Sequence, residues 1–190
     1  LLVDSAPAEE GGLVRGGALE LDLVDVTRQA LSDYAQPLYA RWIKAVEHRD
    51  VAAAEHAQRT FLALIGDIDD VLGTHPHFSF APWLQGAAAL AANGSGGGDV
   101  GAAEEEAALY AYNARNLLTL WGPTGQIRDY ASRMWSGMIR SFYFPRWELA
   151  MSATAQAMRR KSSAAPSDRV FARALDSFED QWQRRGFDID

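Results

Sequence analysis

Apolar residues recur along most of the chain at three- and four-residue intervals, the spacing that lines side chains along one face of a helix. Val24, Leu31, Ala35, Leu38, Trp42 and Val46 make the first such stripe, in a helix that begins near Leu21. Pro37 falls inside it and predicts a kink or a broken turn, because proline cannot donate the backbone hydrogen bond required there. Asp50 is placed to cap a second helix, whose buried face is Val51, Ala54, Phe61, Leu64, Ile65, Ile68 and Leu72. Gly73 is a natural stop for that helix. Residues 74–81 carry no period. Pro82 suits the first turn of a short helix over about residues 83–92.

A third long helix is predicted from the run Glu104, Glu105, Glu106, where negative charge meets the positive end of the helix dipole, to about Leu120. Ala107, Tyr110, Ala114, Leu117 and Trp121 share its apolar face, and Gly122-Pro123 breaks it. The spacing of Ile127, Tyr130, Met134, Met138 or Ile139, and Phe142 predicts a further helix over residues 127–144. Pro145 interrupts that helix, and the chain resumes over residues 146–160. After a Ser/Ala/Pro linker, Ser167 or Asp168 caps a last helix with Phe171, Leu175, Phe178 and Trp182 spaced for packing, ended by Gly186. No stretch alternates apolar and polar residues long enough for a strand. The expected fold is an all-α bundle of about six helices joined by short loops, over residues 21–186. Residues 1–20 read as a loose tail or linker, and residues 93–101, Asn-Gly-Ser-Gly-Gly-Gly-Asp-Val-Gly, as a glycine-rich loop.

Composition narrows the function. The chain is 48% hydrophobic and 23% charged, enough for a buried core. Its net charge of -7 argues against nucleic acid or an anionic membrane surface as a partner. No apolar run approaches the roughly 20 residues of a membrane span. With no cysteine, thiol catalysis and cysteine-ligated metal are excluded. The chain opens on Leu1 with no basic-then-apolar leader, which points to a piece of a longer protein.

Most candidate chemistry is weak. His75 and His77 flank a proline with no carboxylates at ligand spacing, so they read as loop histidines and no metal or cofactor is expected. Asp67, Asp69 and Asp70 flank the core-facing Ile68 and are expected to point to water. Gly96, Gly97 and Gly98 lack the lysine and hydroxyl of a phosphate loop.

One stretch, residues 113–147, is dense. It holds Trp121, Trp135 and Trp147, three of the six tryptophans, among five arginines and the pair Asp129-Tyr130. Trp135 and Trp147 at helical spacing read as core. Trp121, at a helix end before Gly-Pro, can instead project from a rigid loop as a platform for the apolar face of a sugar.

The motifs of this stretch carry a resemblance. Asn113-Ala114-Arg115-Asn116, Thr119-Leu120-Trp121-Gly122-Pro123, Asp129-Tyr130-Ala131, Trp135-Ser136-Gly137, and Tyr143 with Pro145-Arg146-Trp147 stand in the order and spacing of one family. They resemble the C-terminal helical domain of the α-N-acetylglucosaminidases, the family 89 glycoside hydrolases. The segment from Asp22 to Gln29 resembles the start of that domain, and Phe78 to Trp83 its short connection. The resemblance implies a catalytic (β/α)8 barrel in the same polypeptide, carrying both catalytic glutamates, so this chain alone is expected to be inactive. It further implies retaining removal of terminal α-linked N-acetylglucosamine from a glycan. Trp121 and Ile127 would form part of the sugar pocket wall. Asn113, Arg115, Gly122, Pro123, Asp129, Tyr130, Trp135, Arg146 and Trp147 are read as the structural motif, the arginines and Asp129 pairing with each other or capping helices. The competing reading is a stand-alone helical carbohydrate-binding or protein-interaction module without catalysis. A helical ligand-sensing regulator is weaker still, since an acidic chain without a basic helix-turn-helix does not suit DNA.

Overall fold

The structure, a computed structural model of the chain, describes residues 17–94, 100–121, 127–160 and 168–188. Within them lie six α-helices: α1 (Ala18–Glu47), α2 (Val51–Gly73), α3 (Ala81–Gly94), α4 (Val100–Asn116), α5 (Phe144–Arg159) and α6 (Asp168–Gln183). The expected all-α bundle is therefore what forms.

The α1–α2 pair follows its sequence closely. Val24, Leu38, Trp42 and Ala45 are the buried positions of α1. They meet Ala54, Phe61, Leu62, Ile65, Ile68 and Leu72 of α2 in one apolar cluster that Met151 of α5 completes. The corner between the helices is tight. Arg49 adopts a left-handed φ of 55°, and Asp50 N–H donates to Ala45 O (2.9 Å) while Arg49 N–H donates to Val46 O (3.0 Å). This is the hydrogen-bond pattern that normally ends on glycine. The Asp50 carboxylate then accepts from Ala53 N–H (3.0 Å) and opens α2, the cap expected from the sequence. Pro37 does not break α1, which runs through it. Both Pro37 and Asp33 are exposed, so the carbonyl deprived of its donor is left to water.

A second cluster holds Phe80, Leu84, Leu118, Met138, Phe142 and Trp182. Phe80 stacks on Trp182 at 5.8 Å. The 3-10 turn Pro76–Phe78 leads into it, and His75 caps that turn by accepting from His77 N–H on Nδ1 (3.2 Å).

Three expectations need correction. First, α4 begins at Val100, so Glu104 to Glu106 lie in its second turn, and it ends at Asn116. Its buried face is Ala111, Ala114 and Arg115; in the turn that follows, Leu118 is buried and Leu117 exposed. The face is rotated because the buried arginine counts as polar in a hydrophobic pattern. Second, residues 127–137 are not helical. Leu120–Trp121 (β1) and Ile127–Arg128 (β2) pair as a two-stranded antiparallel ladder. Helical structure resumes at Met138 and passes at once into a π-helical run, Ile139–Tyr143, continuous with α5. Pro145 sits in the first turn of α5, where a missing N–H costs least. Third, Asp69 does not face water. It is buried and accepts from Gly137 N–H (2.9 Å), Arg140 N–H (3.1 Å) and Arg140 Nε (3.2 Å). Helix α2 is covered on two sides, by α1 and by the π-helical run with α5, which widens its buried arc beyond the apolar stripe. Asp67 and Asp70 are exposed as expected, and Asp70 accepts from Arg140 Nη2 (2.6 Å).

Candidate functional site

The site residues converge on the segment between α4 and the π-helical run. After α4 the chain turns twice, Leu118 N–H donating to Arg115 O (3.1 Å) and Thr119 N–H to Asn116 O (3.1 Å). It then enters β1. The register sets Leu120 opposite Arg128 and Trp121 opposite Ile127. Asp129 N–H donates to Thr119 O (2.8 Å) and continues the ladder by one bond. Asp129 (φ 53°) and Ser132 (φ 46°) both adopt left-handed backbone, and Ser132 N–H donates to Asp129 O (2.9 Å). Ile127 and Tyr130 are exposed, Tyr130 by 66%. Of Trp121 the described part is its backbone in β1; Gly122 and Pro123 lie outside the described residues. From Ser136 the chain is tied to the 3-10 turn and the residues after it: Ser136 N–H donates to Phe78 O (2.7 Å), and Phe80 N–H to Ser136 O (3.0 Å).

A two-residue ladder has little stability of its own. Its position is set by side chains. Arg146 of α5 donates through Nη1 and Nη2 to the two carboxylate oxygens of Asp129 (3.0 and 2.5 Å), a bidentate pair. Arg146 Nη1 also lies 3.3 Å from Glu179 Oε1 of α6. Arg128 of β2 donates to Glu179 Oε2 (2.9 Å) and pairs with Asp176. The Arg146 guanidinium stands over the Phe142 and Tyr143 rings at 5.2 and 5.7 Å. Electrostatics follow from burial. Glu179 is 1% exposed, and burial raises its carboxyl pKa against the pull of Arg146 and Arg128. Burial also pushes the Tyr143 hydroxyl up to about 12, with Asp129 adding to it. Burial opposes the Arg146 charge, and Asp129 and Glu179 outweigh it, so its pKa is raised.

Arg115 occupies a different place. It is fully buried, with its guanidinium over Trp182 at 4.4 Å and Phe80 at 5.3 Å. Nε donates to Gly186 O (3.1 Å) and Nη2 to Asp188 O, so the arginine clasps the backbone that follows α6. Burial, and then Arg185, lower its pKa to about 10.

The remaining motif residues divide between the two clusters. Trp135 is half-buried, stacked on Phe80 (6.4 Å) and tilted against Trp83 (6.1 Å). Trp147 is half-buried on the other cluster, edge-on to Phe61 (5.2 Å) and Tyr39 (5.5 Å). Asn113 is exposed on α4. A hollow of about 340 Å³ lies beneath the Asp129 turn, walled by Phe61, Ile65, Met134, Tyr143 and Trp147. Asp129, Asp176 and Glu179 each accept from a guanidinium; such carboxylates fix backbone position rather than shuttle protons.

Sequence analysis missed Glu179, set Asp69 toward water, and counted Arg128 only among the five arginines of the dense stretch. For Glu179 a signal existed. It stands four residues after Leu175 and three before Trp182, an acid within the apolar stripe of α6. Asp69 likewise sits three residues before Leu72 on a buried face.

Comparison with known proteins places this architecture. The family model described as the alpha-N-acetylglucosaminidase (NAGLU) C-terminal domain matches residues 2–189. Human alpha-N-acetylglucosaminidase is 34% identical over 154 residues, which is 80% of this chain and 19% of that protein. Among solved structures, a family 89 glycoside hydrolase from Clostridium perfringens, captured with its substrate GlcNAc-alpha-1,4-galactose, superposes with a TM-score of 0.73. The identity is 27%, covering 91% of this chain and 18% of that one. The family 89 enzyme of the same organism in complex with PUGNAc gives 0.69 at 26% identity, over 85% of this chain and 18% of its own. The chain thus spans about a fifth of the length of these relatives, and most of each relative lies outside the matched stretch.

Proposed function

Since the chain belongs to the family of the α-N-acetylglucosaminidase C-terminal domain, we propose that it is the helical domain of a longer retaining glycoside hydrolase. In this reading the polypeptide removes terminal α-linked N-acetylglucosamine, and the helical domain packs on a catalytic (β/α)8 barrel. The barrel supplies two carboxylates about 5–5.5 Å apart, one as nucleophile and one as acid and then base. The helical domain supplies part of the sugar pocket wall, from Trp121 and Ile127 on the β1–β2 turn. Asn113, Arg115, Gly122, Pro123, Asp129, Tyr130, Trp135, Arg146 and Trp147 serve the architecture behind that wall.

One observation carries the reading. The ladder that pairs Trp121 with Ile127 exposes Ile127 by 47% and is anchored from behind by Asp129–Arg146 and Arg128–Glu179. An exposed apolar side chain on an anchored ladder is suited to a substrate whose orientation must be fixed before reaction. In the full-length polypeptide, Trp121→Ala is expected to lower kcat/KM for an aryl α-N-acetylglucosaminide by about 10- to 100-fold, roughly 1.4–2.8 kcal/mol of binding, with the circular dichroism of the bundle unchanged. Unaltered kinetics would remove the pocket-wall role.

A further inference from the structure

The β1–β2 ladder has too few bonds to hold itself. Two arginines tie it to the helices. Arg128 belongs to β2 and extends to α6; Arg146 belongs to α5 and grips Asp129, the residue that follows β2 in left-handed backbone. Like charges in such proximity repel, so both must be neutralised for the turn to stay where it is. Glu179 lies between them, one oxygen toward each: Oε2 accepts from Arg128 at 2.9 Å, and Oε1 is 3.3 Å from Arg146. Asp176 and Asp129 each meet one arginine, and both are far more open to water than Glu179, whose side chain is 2% exposed against 53% for Asp176 and 30% for Asp129.

Stability does not account for an acid at this position. Residue 179 falls on the apolar stripe of α6, beside Phe178 and Trp182 in the second cluster. A buried ion pair is commonly no more stabilising than well-packed apolar residues of the same volume. What a buried carboxylate with two convergent partners provides is geometry, since each guanidinium can be satisfied in one orientation only.

We propose that Glu179 is a positioning residue for the β1–β2 ladder: by holding Arg128 and Arg146 together it fixes Arg128 and Asp129, the two residues that follow Ile127, and so sets affinity for the terminal sugar without touching it. This rests on the pocket-wall role of Trp121 and Ile127 proposed above. The partner chemistry is that of a neutral sugar, so the effect lies in the distance and tilt of the wall rather than in charge.

The test is kinetic, in the full-length polypeptide, with an aryl α-N-acetylglucosaminide. Glu179→Gln keeps the shape and removes the charge; it is expected to raise KM about tenfold while kcat falls less than about twofold. Arg128→Met cuts the same link from the half-exposed side and guards against a folding failure of the first variant; it is expected to raise KM in the same direction. Leu62→Ala, a buried change in α2, lowers stability without reaching the turn and should leave KM where it was. If both Glu179→Gln and Arg128→Met leave KM unchanged while Trp121→Ala raises it, the positioning role alone is wrong. If Trp121→Ala is also silent, the pocket-wall reading fails and this inference falls with it. If Leu62→Ala raises KM as much as Glu179→Gln, the effect is general destabilisation and the positioning role is likewise overturned.

Discussion

The α1–α2 pair and the described residues of the connection that follows α4, 117–121 and 127–138, are held in place by different means. The helices are held by apolar side chains that recur every three or four residues, each contributing through area removed from water. The described residues of the connection have two ladder rungs, three positions at positive φ (Asp129, Ser132 and Gly137) and few fully buried apolar side chains. It is held by polar groups reaching from elsewhere: Asp69 from α2 onto Gly137 and Arg140, Arg146 from α5 onto Asp129, Glu179 from α6 onto Arg128. A periodic core fixes helices. An irregular strand-and-turn segment needs directional bonds, because only these specify where a non-repeating backbone must lie.

The contrast can be broken at its apolar end first. Leu72→Ala removes a side chain with 0% exposure and is expected to cost about 3–4 kcal/mol, read from urea unfolding, with no change in the substrate affinity of the full-length polypeptide. Arg146→Ala attacks the polar end. Asp129 then loses both charge-assisted bonds, and Glu179 keeps Arg128 alone. A buried charge left wholly unpaired costs about 3–5 kcal/mol, so this half-paired case is expected near 2–3 kcal/mol. Unlike Leu72→Ala, it should also raise KM. An equal effect of both variants on KM would dissolve the distinction between the two regions.

The finest probe uses pH. Tyr143 packs against both clusters, and its hydroxyl is pushed from 10.0 up to about 12. A phenol with a raised folded-state pKa favours folding in full below about pH 10, and that contribution is lost as pH rises toward 12. The unsubstituted chain should therefore lose about 1 kcal/mol more than Tyr143→Phe between pH 9 and pH 11. Melting curves of the two proteins across that range measure it, and parallel curves would place the hydroxyl in water.

What could be read from the amino acids follows the same division. The stripes of α1 and α2, the packing of Phe178 and Trp182 on α6, the cap at Asp50 and the stop at Gly73 are local or periodic, and all are present. The arc of α4 was misjudged by its buried arginine: Arg115 sits in the core only because Trp182 and the carbonyls of Gly186 and Asp188, some seventy residues onward, receive it. The same holds for Asp69, whose partners lie about seventy residues away. Ile127, Tyr130 and Met134 show a helical interval by coincidence, since the chain there is strand and turn. Long-range polar pairs leave no period in a single sequence. Their trace is an acid or arginine within an apolar stripe, as at Glu179.

The π-helical run from Ile139 to Tyr143 is a setting of phase. Each π turn takes up about one residue more than an α turn, so everything after it is rotated by about 100° relative to an unbroken α-helix. With that offset Phe142 points into one cluster, Trp147 and Met151 into the other, and Arg146 arrives opposite Asp129. Removing a single residue from the run would return the helix to α spacing and swing Arg146, Trp147 and Met151 off their partners at once. Here the number of residues carries information that their identities do not, and the stretch can exchange side chains far more readily than it can change length.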